Sequence, residues 1–208
     1  MDEIMEQESK KTNEEKRQGK IIIISGPSGV GKKTIIDQVI NNADLNLTYS
    51  ISMTTRQPRE HEKNGIDYFF VSEQEFEKAI ANNELLEWAE FAKNKYGTPI
   101  KNLYKMINDQ KNVILEIEVQ GATKVKEILK REHYISIFII PPSIRELKRR
   151  LKLRDTETKE KIKQRIKRAK VELKLQNEYD HVILNDDAKN AADKLRHILY
   201  EKVLPKEK

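Results

Sequence analysis

Residues 26–34 read Gly-Pro-Ser-Gly-Val-Gly-Lys-Lys-Thr, between an isoleucine run and the apolar segment Ile35-Ile36. Glycines let a backbone curl until successive N–H groups face one anion, and a helix starting at Lys32 adds its positive end. Lys32 would carry an ammonium to the distal phosphates of a nucleotide. The spacing is that of a phosphate-binding loop, G-x-x-x-x-G-K-[ST], except that Lys33 stands where a hydroxyl is required. That hydroxyl ordinarily sits on Mg²⁺, and an ammonium cannot coordinate a metal. Thr34 has a hydroxyl, but one residue further turns it about 100° around a helix. Three outcomes stay open. Mg²⁺ is held by nucleotide oxygens and waters, carboxylates elsewhere assist, or the loop binds phosphate without catalysing anything.

Other residue groups bear on that choice. Arg56 and Arg59 lie three apart after a hydroxyl-rich stretch (Ser52, Thr54, Thr55), with Tyr68 beyond a short loop. Guanidinium groups grip phosphate bidentately, so this set suits a monophosphate. The alternative is a solvated loop with ordinary surface arginines. Glu116 and Glu118 stand two apart in a run predicted as a strand, which points them to one side. Two like charges there are costly without a cation or ligand. Residues 144–170 hold thirteen Lys or Arg against four acids. Arg150 and Arg154 are four apart on one helical face, and Arg165 lies beyond a break at 154–158. This stretch is either a nucleic-acid-binding helix or a lid that carries arginines to a transferring phosphoryl group. No aromatic residues interleave its charges as a stacking platform would.

The elements that must position these groups follow from hydrophobic periodicity. Strands are predicted at 20–25, 47–55, 68–72, 113–119, 134–140 and 181–185. Helices are predicted at 32–41, 73–91 (broken near Asn82-Asn83), 143–178 and 187–201. Strands alternating with helices argue for an α/β protein with a parallel sheet. Residues 1–19 are polar, with mixed charge, and read as a tail outside the core. The chain of 208 residues carries a net charge of +6, no cysteine and four histidines. Disulfides and thiolate metal sites are therefore excluded, and a zinc site is disfavoured. No apolar run approaches a membrane span and the N-terminus has no apolar signal segment, so a soluble, cytoplasmic protein is expected.

The segments GPSGVGK, SMTTRQPREHEKNGIDYFFVS, NELLEWAEFAKNKYGTP, VILEIEVQGA, IFIIPPS, LKLRDTETKEKIKQRIKRA and YDHVILNDD follow one another at characteristic spacing. Together they resemble guanylate kinase, over about residues 20–203, as a single-domain bacterial-type member. The resemblance implies a P-loop NTPase core with a parallel five-stranded sheet flanked by helices (20–51, 100–142 and 171–203). It also implies a GMP-binding α+β insertion at 52–99 and a helical lid at 143–170. The implied reaction is ATP + GMP = ADP + GDP, with Mg²⁺ accompanying ATP.

Carried onto matching positions, the resemblance gives Lys32, Arg150, Arg154 and Arg165 catalytic roles. ATP would be bound by Gly26, Pro27, Ser28, Gly29, Val30, Gly31, Lys32, Lys33, Thr34 and Asn185. Asn185 resembles an adenine contact, or else caps the following helix. GMP would be held by Arg56, Arg59, Tyr68 and Tyr96 at its phosphate. Ser52, Glu87 and Thr98 would read the base, and Glu116 and Glu118 would order Mg²⁺ through water, one of them facing GMP. The guanine assignment makes chemical sense. Guanine offers adjacent N1–H and N2–H donors to a carboxylate, whereas adenine lacks N1–H and leaves that carboxylate poorly paired. The small-molecule partners implied are ATP and GMP, with dGMP left open as a second acceptor. No nucleic-acid or membrane partner is implied, and monomer and homodimer both stay open. The competing function is a guanylate-kinase-like binding module without catalysis, for which Lys33 is the sole sequence feature.

Overall fold

The structure is a computed structural model that describes residues 18–91, 93–153 and 158–204. In chain order the elements begin with β1 (Ile21–Ser25), α1 (Lys32–Asp37), β2 (Leu47–Tyr49), β3 (Met53–Thr54) and β4 (Phe69–Phe70). Next come α2 (Glu73–Ala81), β5 (Leu85–Phe91), β6 (Asn94–Pro99), α3 (Ile100–Asn108), β7 (Asn112–Glu116) and α4 (Val119–Ile128). The last are β8 (Tyr134–Ile140), α5 (Ile144–Leu153), α6 (Lys159–Glu172), β9 (His181–Leu184) and α7 (Ala188–Val203).

The four isoleucines of β1 are buried on both faces, the pattern of a central parallel strand. β1 pairs in parallel with β7 on one side and β8 on the other. With β2 and β9 outside them, the five-stranded parallel order is β2-β7-β1-β8-β9. Strand alternation splits the core in two. Ile22 and Ile24 pack in a cluster with Ile35, Ile36, Leu195 and Leu199 of α1 and α7. Ile21 and Ile23 pack in another with Leu103, Ile107, Ala122 and Val125 of α3 and α4. The loop 26–31 therefore leaves the carboxyl end of the central strand, where parallel sheets place ligands.

The second sheet has four strands in the order β4-β3-β6-β5 and lies between residues 53 and 99. The segment read as one strand at 47–55 is two. β2 belongs to the first sheet and β3 to the second, and Ser52 sits where the chain crosses between them. The α/β architecture with a parallel five-stranded sheet, flanked by seven α-helices among the described residues, matches expectation.

Three expectations fail locally. The helical stretch read over 73–91 ends at Ala81, at the break expected near Asn82-Asn83, but does not resume beyond it. It starts with a complete capping box, in which Ser72 Oγ accepts from Glu75 N and Glu75 Oε2 accepts from Ser72 N. Asn83 then takes a left-handed backbone (φ 54°), and Leu85–Phe91 pairs antiparallel with β6 instead. The spacing of Leu85, Leu86, Trp88 and Ala89 suits either period because a bulge shifts the register between Leu85 and Trp88. The strand read over 113–119 stops at Glu116, and Glu118 becomes the N-cap of α4. Finally β6, α3 and α4 escaped the pattern reading, since each is short and rich in polar residues.

Candidate active site

The loop 26–31 is braced from three sides. Gly31 adopts φ 100°, and a Cβ there would lie 2.6 Å from Asn185 Nδ2. That amide is buried and donates to Val30 O at 2.6 Å. Arg150 of α5 donates to Val30 O at 3.2 Å and to Asn185 O at 2.9 Å, while its Nε bonds Glu146. Arg165 of α6 donates to Ser28 Oγ. Gly29 faces Leu151 of α5, whose Cδ2 would be 2.5 Å from an added Cβ. The arginines expected on the lid thus reach the loop. Arg154 lies outside the described residues.

Lys32 is 9% exposed and its Nζ donates to Gly26 O at 2.7 Å, so the ammonium folds back over the loop. Lys33 points elsewhere. Its Nζ lies 3.5 Å from Asp37 Oδ1 and 5.4 Å from the centroid of the Tyr49 ring, with the side chain 62% exposed. Thr34 is exposed on α1 and Pro27 is buried. Asn185 does not cap α7. Asp187 does, accepting from Lys189 N and Asn190 N.

Lys32 acts on a group of charges in which Glu172 is buried and Glu116, Glu118 and Arg168 are half-buried. Burial pushes the Glu116 carboxyl above its usual range, while the Lys32 and Lys33 ammonium groups pull it back. Glu118 Oε2 is buried without a hydrogen bond and lies 4.0 Å from Arg168, which pairs with Glu172 at 2.7 Å. Glu172 is also raised by burial and by the charge of Glu118, and lowered by Arg168 and Lys32. Neither Arg168 nor Glu172 was singled out from the sequence.

This set bears on whether a magnesium ion fits. One carboxylate oxygen is buried and unbonded, and a second carboxylate lies within the field of Lys32. Among the described residues, no three His, Cys, Asp or Glu side chains converge into a cage. Two carboxylates suit a hard cation whose other positions are filled by phosphate oxygens and waters.

The second phosphate-type cluster forms around β3, β4 and β6. Arg56 Nη2 bonds both oxygens of Glu62 at 2.8 and 2.9 Å, and its guanidinium lies 5.4 Å from the Tyr68 ring centroid. Glu62 also accepts from Arg59 N at 2.8 Å, with Arg59 Nη1 at 3.7 Å. The Tyr68 and Tyr96 rings meet at 6.1 Å, and Tyr96 hydrogen-bonds Arg56. Burial and then the charge of Glu116 push the Tyr68 phenol up to about 12, so it stays a donor. Arg56, Arg59, Tyr68 and Tyr96 are therefore brought together as expected. The unforeseen member is Glu62, a carboxylate holding both arginines in the manner of an anion. Its spacing from Arg59 (i, i+3) was the available signal.

Glu87 is buried on β5 and accepts from Thr98 Oγ1 on β6 at 2.8 Å. Burial raises its carboxyl above the ordinary value, and Thr98 and Lys124 oppose that. Ser52 is half-buried, its carbonyl accepting from Phe69 N at 2.9 Å. The lysines at 161, 163 and 167 are exposed on α6, as expected of solvated charges.

A family model described as guanylate kinase matches residues 18–202. The chain belongs to the guanylate kinase family. It is 86% identical over 193 residues to a guanylate kinase of Malacoplasma penetrans, covering 93% of this chain and 98% of that one. It is 46% identical over 193 residues to the guanylate kinase of Bacillus subtilis, covering 93% and 94%. A guanylate kinase of Mesoplasma florum is longer. The chain is 53% identical to it over 88% of its own length but spans only 61% of that relative. The crystal structure of guanylate kinase from Anaplasma phagocytophilum superposes with a TM-score of 0.73 at 37% identity, covering 92% of this chain and 89% of that one.

Proposed function

We propose that this chain transfers the γ-phosphoryl group of ATP to GMP, giving ADP and GDP, through a donor site at the loop 26–34 and an acceptor site on the second sheet. One observation carries the two-site reading. Glu116 ends β7 beside the end of β1, within electrostatic range of both the Lys32 ammonium and the Tyr68 phenol. Donor-type and acceptor-type phosphate clusters thus flank the same strand end, as an in-line transfer requires.

In this reading the loop N–H groups and Lys32 hold the ATP phosphates, and Lys32 exchanges the Gly26 carbonyl for phosphate oxygens. Arg150 and Arg165, with Arg154, neutralise charge on the phosphoryl group. Arg150 and Asn185 also brace the loop through Val30 and set its curvature beneath the nucleotide. Arg56, Arg59, Tyr68 and Tyr96 hold the GMP phosphate, which displaces the Glu62 carboxylate from at least Arg59. Ser52, Glu87 and Thr98 read guanine, the Ser52 hydroxyl serving O6 while Thr98 holds the carboxylate that accepts from N1–H and N2–H. Glu116 and Glu118 would hold Mg²⁺, through water. Bound there with ATP, the ion supplies positive charge against the phosphate oxygens.

The binding-module alternative rested on Lys33, and that side chain is exposed, beside Asp37 and the Tyr49 ring. Among the described residues no helix is long and apolar enough to cross a membrane. A cytoplasmic location suits an enzyme drawing on ATP and GMP. An ADP-release assay with GMP, AMP, UMP and CMP tests the assignment. Turnover with GMP far above the others is expected. Turnover with none, or AMP matching GMP, overturns it.

A further inference from the structure

Gly121 lies buried in the first turn of α4. Its backbone is outside the left-handed region, where glycine is needed for conformational reasons. Glycine also weakens a helix relative to alanine. Neither reason explains its presence. What fills the space of a missing side chain is a single group. A Cβ on Gly121 would lie 2.5 Å from Glu87 Oε2 and 3.1 Å from Glu87 Cδ, with Oε1 next at 3.6 Å. The helix is held against β5 at this seam by Lys124, whose ammonium bonds Trp88 O and lies 5.0 Å from the Trp88 ring centroid.

We propose that Gly121 is a positioning residue for base selectivity. Its missing Cβ lets the Glu87 carboxylate seat between Thr98 and the first turn of α4, in the orientation that accepts from guanine. The proposal rests on Glu87 being the guanine reader. In Gly121→Ala the nearest atom is the far end of a flexible side chain, so the carboxylate swings away and the fold is kept. The bond from Thr98 and the alignment on the base are then lost together.

The test measures GMP binding by calorimetry in Gly121→Ala, Glu87→Ala and the double variant, with KM for ATP and thermal melting recorded for each. A charge-assisted pair misaligned by one methyl group predicts GMP binding about tenfold weaker in Gly121→Ala. KM for ATP should hold within about twofold and melting should stay cooperative. In the Glu87→Ala background the same glycine change should cost almost nothing, because no carboxylate remains to displace. Three results overturn the proposal. They are GMP affinity unchanged in Gly121→Ala, an equal loss in both backgrounds, and loss of cooperative melting, which would make the contact purely structural. If Glu87→Ala itself leaves GMP affinity unchanged, the base-reading role has failed first, and Gly121 has nothing to position.

Discussion

Lys33 Nζ sits 3.5 Å from Asp37 Oδ1, one turn further along α1, and not over the loop that Lys32 closes. The pair is exposed and contributes little, on the order of 0.3–0.5 kcal/mol for such an i, i+4 contact. Lys33→Ser should therefore leave turnover and the Mg²⁺ dependence of the rate within about threefold, whereas Lys32→Ala should cut turnover by about 10²-fold or more. A magnesium titration of the steady-state rate reads both. If Lys33→Ser improved Mg²⁺ affinity and turnover many-fold, the loop would be an impaired one.

Glu87 must be ionised to accept two donors from guanine, yet burial raises its carboxyl and so favours the neutral form. GMP affinity should accordingly weaken as pH falls through this raised value, at a higher pH than an ordinary carboxylate would allow. Glu87→Gln should remove that portion of the pH profile, and titration of the GMP phosphate, common to both proteins, cancels in the comparison. The stability sign is opposite. A carboxyl raised on folding contributes stability that is present below its unfolded value and lost as pH rises through the folded one. Glu87→Gln should therefore gain stability relative to the parent at neutral pH and not in acid. Calorimetric GMP binding and thermal melts across the acid range check the two halves.

How far the site could be read from the sequence depended on the range of each contact. The loop 26–34 is one continuous segment, and its glycines, lysine and flanking strand declare themselves locally. Arg56, Arg59 and Tyr68 lie on one loop and the strand it enters, so their convergence needed only a turn. The central strand was equally plain, because four buried isoleucines fit nowhere else. Contacts between distant segments were not legible. Gly121 meets Glu87 across 34 positions, Asn185 meets Val30 across 155, and Arg168 reaches Glu118 from another element. The reading of Glu116 and Glu118 as one strand face failed because strand and helix N-cap share an extended backbone, so periodicity cannot tell where one yields to the other.

Asn185 bonds Val30 O from beneath the loop, and Gly31 has no Cβ to obstruct it. Removing the amide leaves Val30 O with Arg150 as partner, so the loss is that of one buried hydrogen bond, about 1–2 kcal/mol. Asn185→Ala should lower Tm by about 3–6 °C for a domain of this size. KM for ATP should rise while KM for GMP moves little, because the loop and the second sheet are separate. A melt with and without ATP, beside initial rates at varied ATP, distinguishes this from a general loss of stability, which would shift both constants alike.

Arg56 and Arg59 share Glu62, but on unequal terms. Arg56 is clamped by two bonds to the carboxylate and covered by Tyr68, whereas the Arg59 side chain is 58% exposed with its guanidinium 3.7 Å away. Arg59 is thus the arginine with freedom to turn towards an arriving phosphate, and Arg56 is already in place. Arg59→Ala should weaken GMP binding by about 10–100-fold, the range for losing a charge-assisted contact. ATP affinity should be retained, since no atom of Arg59 braces the loop. Arg59→Lys should recover only part of the loss, because an ammonium cannot form the paired contacts of a guanidinium. Separate calorimetric titrations with GMP and with a nonhydrolysable ATP analogue decide it. Equal weakening of both ligands would mean that the acceptor and donor sites have been wrongly divided between the second sheet and the loop.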